Sequence, residues 1–523
     1  MKHAKMVRVF PYILCSLLLN VAYAENSVRI DNDLYFQHNN ISGNTSSSIL
    51  TNGLTYYDVL SLYTNGNLAD YTYSLNVGVR LTDDQRKDLK NVSLYMLSGQ
   101  IKNDEQVLDL GDYFRSYSKY SMNSGLKGVA YTYSSTTGDT IDVLYGIAYP
   151  RWDSFWNNEV ESTKRKVYGA RYSKKVNEEL TAGIDVVKTD DSNEVVANIP
   201  LYKTTLLTVN STYRPIPGLK LYGEYSFSEN ETSGTGVIKQ SGGALFLQAV
   251  GNKNPSRVQL EYERVSPDFK TLTGSGTPDR EKVKGTWRYK MTDKITFNTG
   301  MLWFRDNLDG DQVNTTNTYR PNIGFTFKEL FDRRYAVVDL NYKLNNIDSG
   351  ATKTSDDMYD MNYRDRFGIV YSDISLGYNV YDISNNVRYQ NEFRFNTAFN
   401  TRHTYENFVL KPSVIVGILD MNDELTNNGN NQYEQAALGL GLDIPKQNIS
   451  SNFRIGKNRS TRDIGDNMDY VFSSLDLYWN VGKVDQFSNI MIYCKTFLND
   501  YQYTTLANNY REESITLGAK FSF

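Results

Sequence analysis

The chain has 523 residues, with 56 Lys and Arg against 60 Asp and Glu, 36 Gly, 11 Pro, 41 Tyr and two Cys, and a mean hydropathy of −0.52. This charge balance, with no basic run interleaved with aromatics, argues against a nucleic-acid surface. Beyond the N-terminus no 18-residue apolar stretch exists to form a spanning helix, yet low hydropathy leaves a large barrel open, because alternating faces cancel in an average.

The N-terminus reads as a secretory signal. Lys2, Lys5 and Arg8 form a basic region, residues 9–21 a short apolar core, and Ala22-Tyr23-Ala24 a small-x-small cleavage site. Residues 1–24 are therefore expected to leave, and 25–523 to form the mature chain, with 53 basic against 60 acidic residues. Cys15 follows Leu14, too bulky for a lipoprotein processing site, so no lipid anchor is expected. Cys494 is then the one remaining thiol, which excludes an intrachain disulfide.

Strands follow. Tyr71, Tyr73, Leu75, Val77, Val79 and Leu81 alternate with Thr72, Ser74, Asn76, Gly78 and Arg80. That is period two at the length of a tilted membrane-spanning strand. The pattern recurs at 141–149, 283–291, 319–327, 387–399 and 471–479, and no segment after the signal sustains a 3.6-residue period. Short turn signals at 65–67, 137–139, 214–218, 292–294 and 481–483 alternate with longer polar links. Those links lie at 38–49, 150–163, 229–239, 265–280, 306–317, 347–356, 421–431 and 499–512.

Forward counting places an outward-running seventeenth strand at Leu344, and backward counting makes the segment near Tyr381 run outward too. One inward strand must separate them. The apolar phase slips from Phe367, Ile369 and Tyr371 to Ile374, Leu376 and Tyr378, and a turn at Ser372-Asp373 gives about 26 strands, within a range of 22–26. The expected fold is all-β: a single large transmembrane antiparallel up-and-down β-barrel over 25–523, with no segment left for a plug domain.

The chain ends with Ile515, Leu517, Ala519, Phe521 and Phe523 on one face and Thr516, Gly518, Lys520 and Ser522 on the other. This resembles the closing strand of Gram-negative outer-membrane β-barrels. Their polar-x-Gly-x-x-aromatic-x-aromatic ending is read by the barrel-assembly machinery, and Thr516, Gly518, Phe521 and Phe523 match it. The resemblance implies a porin-like protein of the cell outer membrane, in contact with lipid and lipopolysaccharide. Leu110-Gly111-Asp112-Tyr113 with 125–129 is also similar to a Gly-Asp…Gly-Val stretch of fimbrial ushers. It covers about twenty residues, and the ushers' plug and flanking domains have no counterpart here, so no pilus-assembly role is read from it.

On the polar phase fall Arg80, Arg171, Lys282, Lys284, Arg288, Lys290, Arg388, Arg394 and Arg454, with Asp142, Glu224, Glu261, Glu263, Asp339, Glu392 and Asp476. Mixed signs describe a hydrated, balanced lumen wall; the dense stretch from Lys282 to Lys290 is the one place that would attract anions. Tyr149, Trp152, Trp156, Trp303 and Trp479 read as an interfacial girdle, with 152–156 the place to look for sugar stacking. The acidic pairs Asp190-Asp191, Asp356-Asp357 and Asp423-Glu424 are expected in loops, as solvated charge or divalent-ion bridges to lipopolysaccharide. His38, in an expected outer loop, and His403, in an expected periplasmic turn, cannot share a site, and Cys-x-x-Cys-His is absent. Catalytic residues, a bound metal and a cofactor are therefore not expected.

Twenty-six strands about 4.8 Å apart and tilted about 40° make a circle roughly 50 Å across. An open hole of that width would abolish the membrane's sieve. Flattening, inward loops or a partner must narrow it, and 265–280 is the longest loop available. Three functions remain: a channel for ions and small hydrophilic solutes, a sheath around a periplasmic cytochrome or lipoprotein, and a polysaccharide export channel.

Overall fold

The computed structural model describes residues 27–523 except 149–151, 153–162, 194–198, 235, 385–386, 424–428 and 485–486. The signal peptide and its cleavage site lie outside the described residues. In the first half of the chain the strands are β1 (Ser27–Gly43), β2 (Gly53–Leu68), β3 (Tyr71–Thr82), β4 (Val92–Lys102), β5 (Gln106–Ser118), β6 (Met122–Ser134) and β7 (Asp139–Ala148). They continue as β8 (Lys164–Lys175), β9 (Leu180–Ser192), β10 (Leu201–Ile216), β11 (Leu219–Ser233), β12 (Val237–Lys253), β13 (Ser256–Val265) and β14 (Arg280–Lys290). Twelve more spanning strands follow, and a two-residue strand, His403–Thr404, prolongs the one before it past Arg402. The spanning strands number 26 of the 27 strand elements.

Sequential strands pair antiparallel, and β1 pairs with the last strand from Asp31 opposite Ser522 to Gly43 opposite Tyr510. That seam closes the sheet between its first and last strands and removes the two terminal edges. The turn that makes the count even lies between strands Lys353–Phe367 and Val370–Ile383. It therefore precedes Ser372-Asp373, where the phase slip placed it; Ser372 is already paired opposite Asp365 and Phe399. Several polar links are strand rather than loop. Residues 229–233 and 237–239 extend β11 and β12, and His38 lies within β1, not in an outer loop.

Alternation sorts the side chains. In β10, Leu207, Val209 and Tyr213 are exposed on the outer face, while Thr204, Leu206 and Thr208 face inward and are buried. An inward residue of a wide barrel meets water unless something lies on it, so this burial signals material inside the lumen.

The material is the β5–β6 hairpin. The two strands pair with each other out to Ser118 and Met122, but β5 pairs with β4 only from Gly111 to Val107, and β6 with β7 only from Lys127 to Ser134. Above those levels the hairpin has left the wall. Its inward phase carries Tyr113, Tyr117, Met122 and Leu126, all buried, while Leu110 and Phe114 lie on its other face. A strand apolar on both faces is unfavourable beside a hydrated lumen; burying each such side chain contributes roughly 1.5–3 kcal/mol. The bend sits at Gly111, with φ +85° and so little room that an added Cβ would lie 2.1 Å from the Leu97 carbonyl oxygen.

Gly111→Val is therefore expected to displace the hairpin or destabilise the barrel, seen as a lower transition temperature of the folded, heat-modifiable band on a gel. Gly251→Ala, where an added Cβ meets nothing within 4 Å, is expected to leave that transition unchanged.

Candidate functional site: a hairpin latched across the lumen

The tip of the hairpin, residues 119–121, is held against the inner faces of β9 to β13. Backbone N–H groups of Lys119 and Tyr120 both donate to the Glu224 carboxylate, at 3.1 and 2.9 Å, and Tyr222 donates its hydroxyl to the same carboxylate at 2.6 Å. The Tyr120 hydroxyl donates to Glu263 at 3.0 Å and to the Leu245 carbonyl at 3.2 Å. Lys119 and Lys282 clamp Glu263 from two sides. Ser121 donates to Asp185 at 3.1 Å, and Arg171 reaches both Asp185 and the Tyr117 carbonyl, the latter at 2.6 Å. Charge-assisted bonds to backbone N–H are among the stronger ones available, and here three buried carboxylates satisfy the turn.

The loop after β13, residues 266–279, lies over the tip. Thr271 and Thr273 donate their hydroxyls to the carbonyls of Tyr120 and Ser121, each at 2.7 Å, and the backbone N–H of Asn123 donates to the Thr273 carbonyl at 2.7 Å. At Gly274 an added Cβ would stand 2.0 Å from the Tyr120 carbonyl oxygen, so only glycine lets the loop approach this closely. Phe269 meets the Tyr120 ring edge-on at 5.5 Å. Together these rings close an apolar cluster with Leu144, Val167, Val187, Leu206, Phe246 and Val265. Burial beside Arg165 pushes the Lys270 ammonium, stacked on the Tyr202 ring in this loop, below its ordinary pKa.

Arg171, Glu263 and Lys282 thus meet at the latch. Arg80 pairs instead with Asp88 at 3.2 Å, Arg388 with Asp423 at 3.1 Å, and Arg394 with Glu392 and Asp360 at 3.1 and 3.3 Å, each elsewhere around the wall. Glu261 accepts from Gln248 and Gln259. Lys284, Arg288 and Lys290 face the lumen with no acid in ion-pair range among the described residues. Asp185, Tyr120 and Phe269 were not singled out from sequence. The signal was there as broken alternation: Val186-Val187, Leu206-Leu207 and 245–247 are apolar on both faces.

Other candidates disperse. Asp356 and Asp357 are neighbours within a strand, not a loop, and so point to opposite faces; Asp357 accepts from the Tyr342 hydroxyl at 2.7 Å. Asp190 and Asp191 end β9, where Asp191 binds Arg165 through both oxygens at 2.7 and 2.9 Å. Glu424, Tyr149 and Trp156 lie outside the described residues. Trp152 donates its indole N–H to Asp112 at 2.7 Å and stacks on Lys127, which occupies the ring suspected of holding sugar. His403 lies in the short strand His403–Thr404, opposite Leu410, and His38 in β1. Among the described residues no group of three or more His, Cys, Asp and Glu is placed to hold a metal.

At the closing strand Thr516 and Gly518 lie opposite Gln37 and Tyr35, and the Phe523 N–H donates to the Ile30 carbonyl at 2.9 Å. Phe521 and Phe523 both pack on Phe487, at 5.9 and 4.4 Å between ring centres.

A closed sheet of 26 antiparallel strands, apolar outside and charged inside, suits lipid on one face and water on the other. The chain is a closed antiparallel β-barrel of the kind that can span a membrane. No family model matches the sequence, and no curated protein matches it. Among solved structures the barrel is similar to an anion-selective porin from Comamonas acidovorans, at 10% identity over 54% of this chain and 90% of that one, with a TM-score of 0.32. It is also similar to OccK5 (OpdH) and OpdQ of Pseudomonas aeruginosa, at 11% and 12% identity. Each match covers 68% of this chain, and 98% and 99% of those chains, with TM-scores of 0.34 and 0.35.

The latch makes Met122, fully buried beneath it, a reporter. In a Cys494→Ser background, Met122→Cys is expected to resist a water-soluble maleimide in folded barrels. Adding Glu224→Ala and Glu263→Ala is expected to raise its labelling rate by an order of magnitude or more.

Proposed function

We propose that the protein is a channel for ions and small hydrophilic solutes across the outer membrane, narrowed by its own β5–β6 hairpin and the loop over it. The supporting observation is that the chain itself supplies an answer to its excessive width. A bare 26-strand circle, roughly 50 Å across, needs filling, and a segment of wall is folded inward and held by Glu224, Glu263 and Asp185. Away from the latch the inner wall is lined by cross-strand ion pairs such as Arg364–Asp339 at 2.9 Å and Lys520–Asp33 at 2.9 Å, a surface suited to water and small polar solutes.

A sheath around a periplasmic cytochrome or lipoprotein was attractive because an empty lumen of that size needed an occupant; the inward hairpin weakens that motive. A polysaccharide export channel has only the basic face of β14 in its favour among the described residues. An enzymatic role finds no support in the dispersed His, Asp and Glu candidates. Delivery by the barrel-assembly machinery through Thr516, Gly518, Phe521 and Phe523, and outer contacts with lipopolysaccharide, belong to the same proposal.

In planar bilayers the purified protein is expected to give stable single-channel steps. The Glu224→Ala/Glu263→Ala variant, still folded by heat-modifiability, is expected to give larger or more variable steps as the tip leaves the wall. Absence of conductance from the folded wild type would refute the channel reading. Identical steps from the two proteins would refute the hairpin as its constriction.

A further inference from the structure

On one strand most of the inward charges are unpaired. β14 turns Arg280, Lys282, Lys284, Thr286, Arg288 and Lys290 inward, alternating with the outward, exposed Val283 and Trp287. Five of these six are basic. At about 3.3 Å per residue and a tilt of about 40° they rise roughly 25 Å, the height of the apolar band.

The neighbours add charge of the same sign. Arg257 of β13 stands directly opposite Arg288, and Arg320 lies two strands from Lys284, with Leu302 between them. Lys282 is matched by Glu263. Among the described residues, Arg257, Arg280, Lys284, Arg288, Lys290 and Arg320 have no acid in ion-pair range; Arg280 and Arg320 instead stack on Phe304, at 4.4 and 5.7 Å. Acids beside this wall are few. Glu263 is shared between Lys282 and the hairpin's Lys119, and Glu261 stands opposite Lys284.

Like charges directly opposite one another are destabilising, and an anion between them relieves that repulsion. We infer that the inner face of β14, with Arg257 and Arg320, is an anion-binding track that selects small phosphate- or carboxylate-bearing solutes and chloride over cations. The inference rests on the channel reading and names its substrate class. The latch contributes by drawing Lys119 onto Glu263, an acid on the strand beside this wall.

The test is the reversal potential of the purified wild type in a KCl gradient. At 0.1 M, chloride permeability is expected to exceed that of potassium several-fold. It is expected to fall toward parity near 1 M, as the screening length shortens from about 10 Å to about 3 Å. Lys284→Gln/Arg288→Gln/Lys290→Gln is expected to lose most of the preference at low salt, whereas Lys188→Gln, on the outer face, keeps it. Equal permeabilities at 0.1 M, or an unchanged ratio in the triple variant, would overturn the track while leaving the channel standing. If the folded wild type does not conduct, the channel reading falls, and calorimetry with inorganic pyrophosphate on the solubilised barrel decides the track. Salt-sensitive binding lost in the triple variant supports it; no binding overturns it.

Discussion

The interior of this barrel depends on one carboxylate, that of Glu224, which accepts hydrogen bonds from two successive backbone N–H groups at the hairpin tip. Without such an acceptor the turn at 119–121 would bury unsatisfied donors against an apolar wall, at about 1–3 kcal/mol for each orphaned group. With it, the hairpin can exchange a place in the wall for a place inside. A hydrogen bond to a charged acceptor contributes about 1.5–3 kcal/mol, so Glu224 and Glu263 together are of the right size to hold the tip. Apolar burial of Tyr120, Met122 and Phe269 then fixes its position.

The inward hairpin has an electrostatic consequence. Elsewhere the inner wall neutralises itself strand by strand, as with Arg394 between Glu392 and Asp360. Around β9 to β14 Glu224 accepts from the turn's backbone, Asp185 is shared between Arg171 and Ser121, and Glu263 between Lys282 and Lys119. On β14, Lys284, Arg288 and Lys290 have no acid in ion-pair range among the described residues.

Much of the barrel was legible in the sequence because one periodicity governs it. Period-two alternation located strands, the antiparallel parity argument forced an inward strand between Leu344 and Tyr381, and the closing strand 510–522 pairs on both sides. Errors arose where polar composition was taken for loop. The segment 229–239 belongs largely to β11 and β12 because a lumen wall is as polar as a loop. The latch was not read, although its residues were visible. Tyr113 and Tyr117 lie on the phase opposite Leu110 and Phe114, and Val187, Leu206 and Phe246 interrupt an otherwise polar inner face. Apolar residues on both faces of adjacent strands mean that something covers the inner one. Sequence does not say what, because the covering residues at 118–122 and 266–279 are distant in the chain.

The central claim is that the hairpin lies inside the lumen under the loop after β13. It is tested most directly by a disulfide between Asn123→Cys and Thr273→Cys in a Cys494→Ser background, formed by mild oxidation in native outer membranes. The backbone bond between these residues, 2.7 Å from N to O, predicts rapid, near-complete cross-linking within one chain. Two free thiols that both react with a water-soluble maleimide, with no cross-link, would place the hairpin elsewhere and contradict the account.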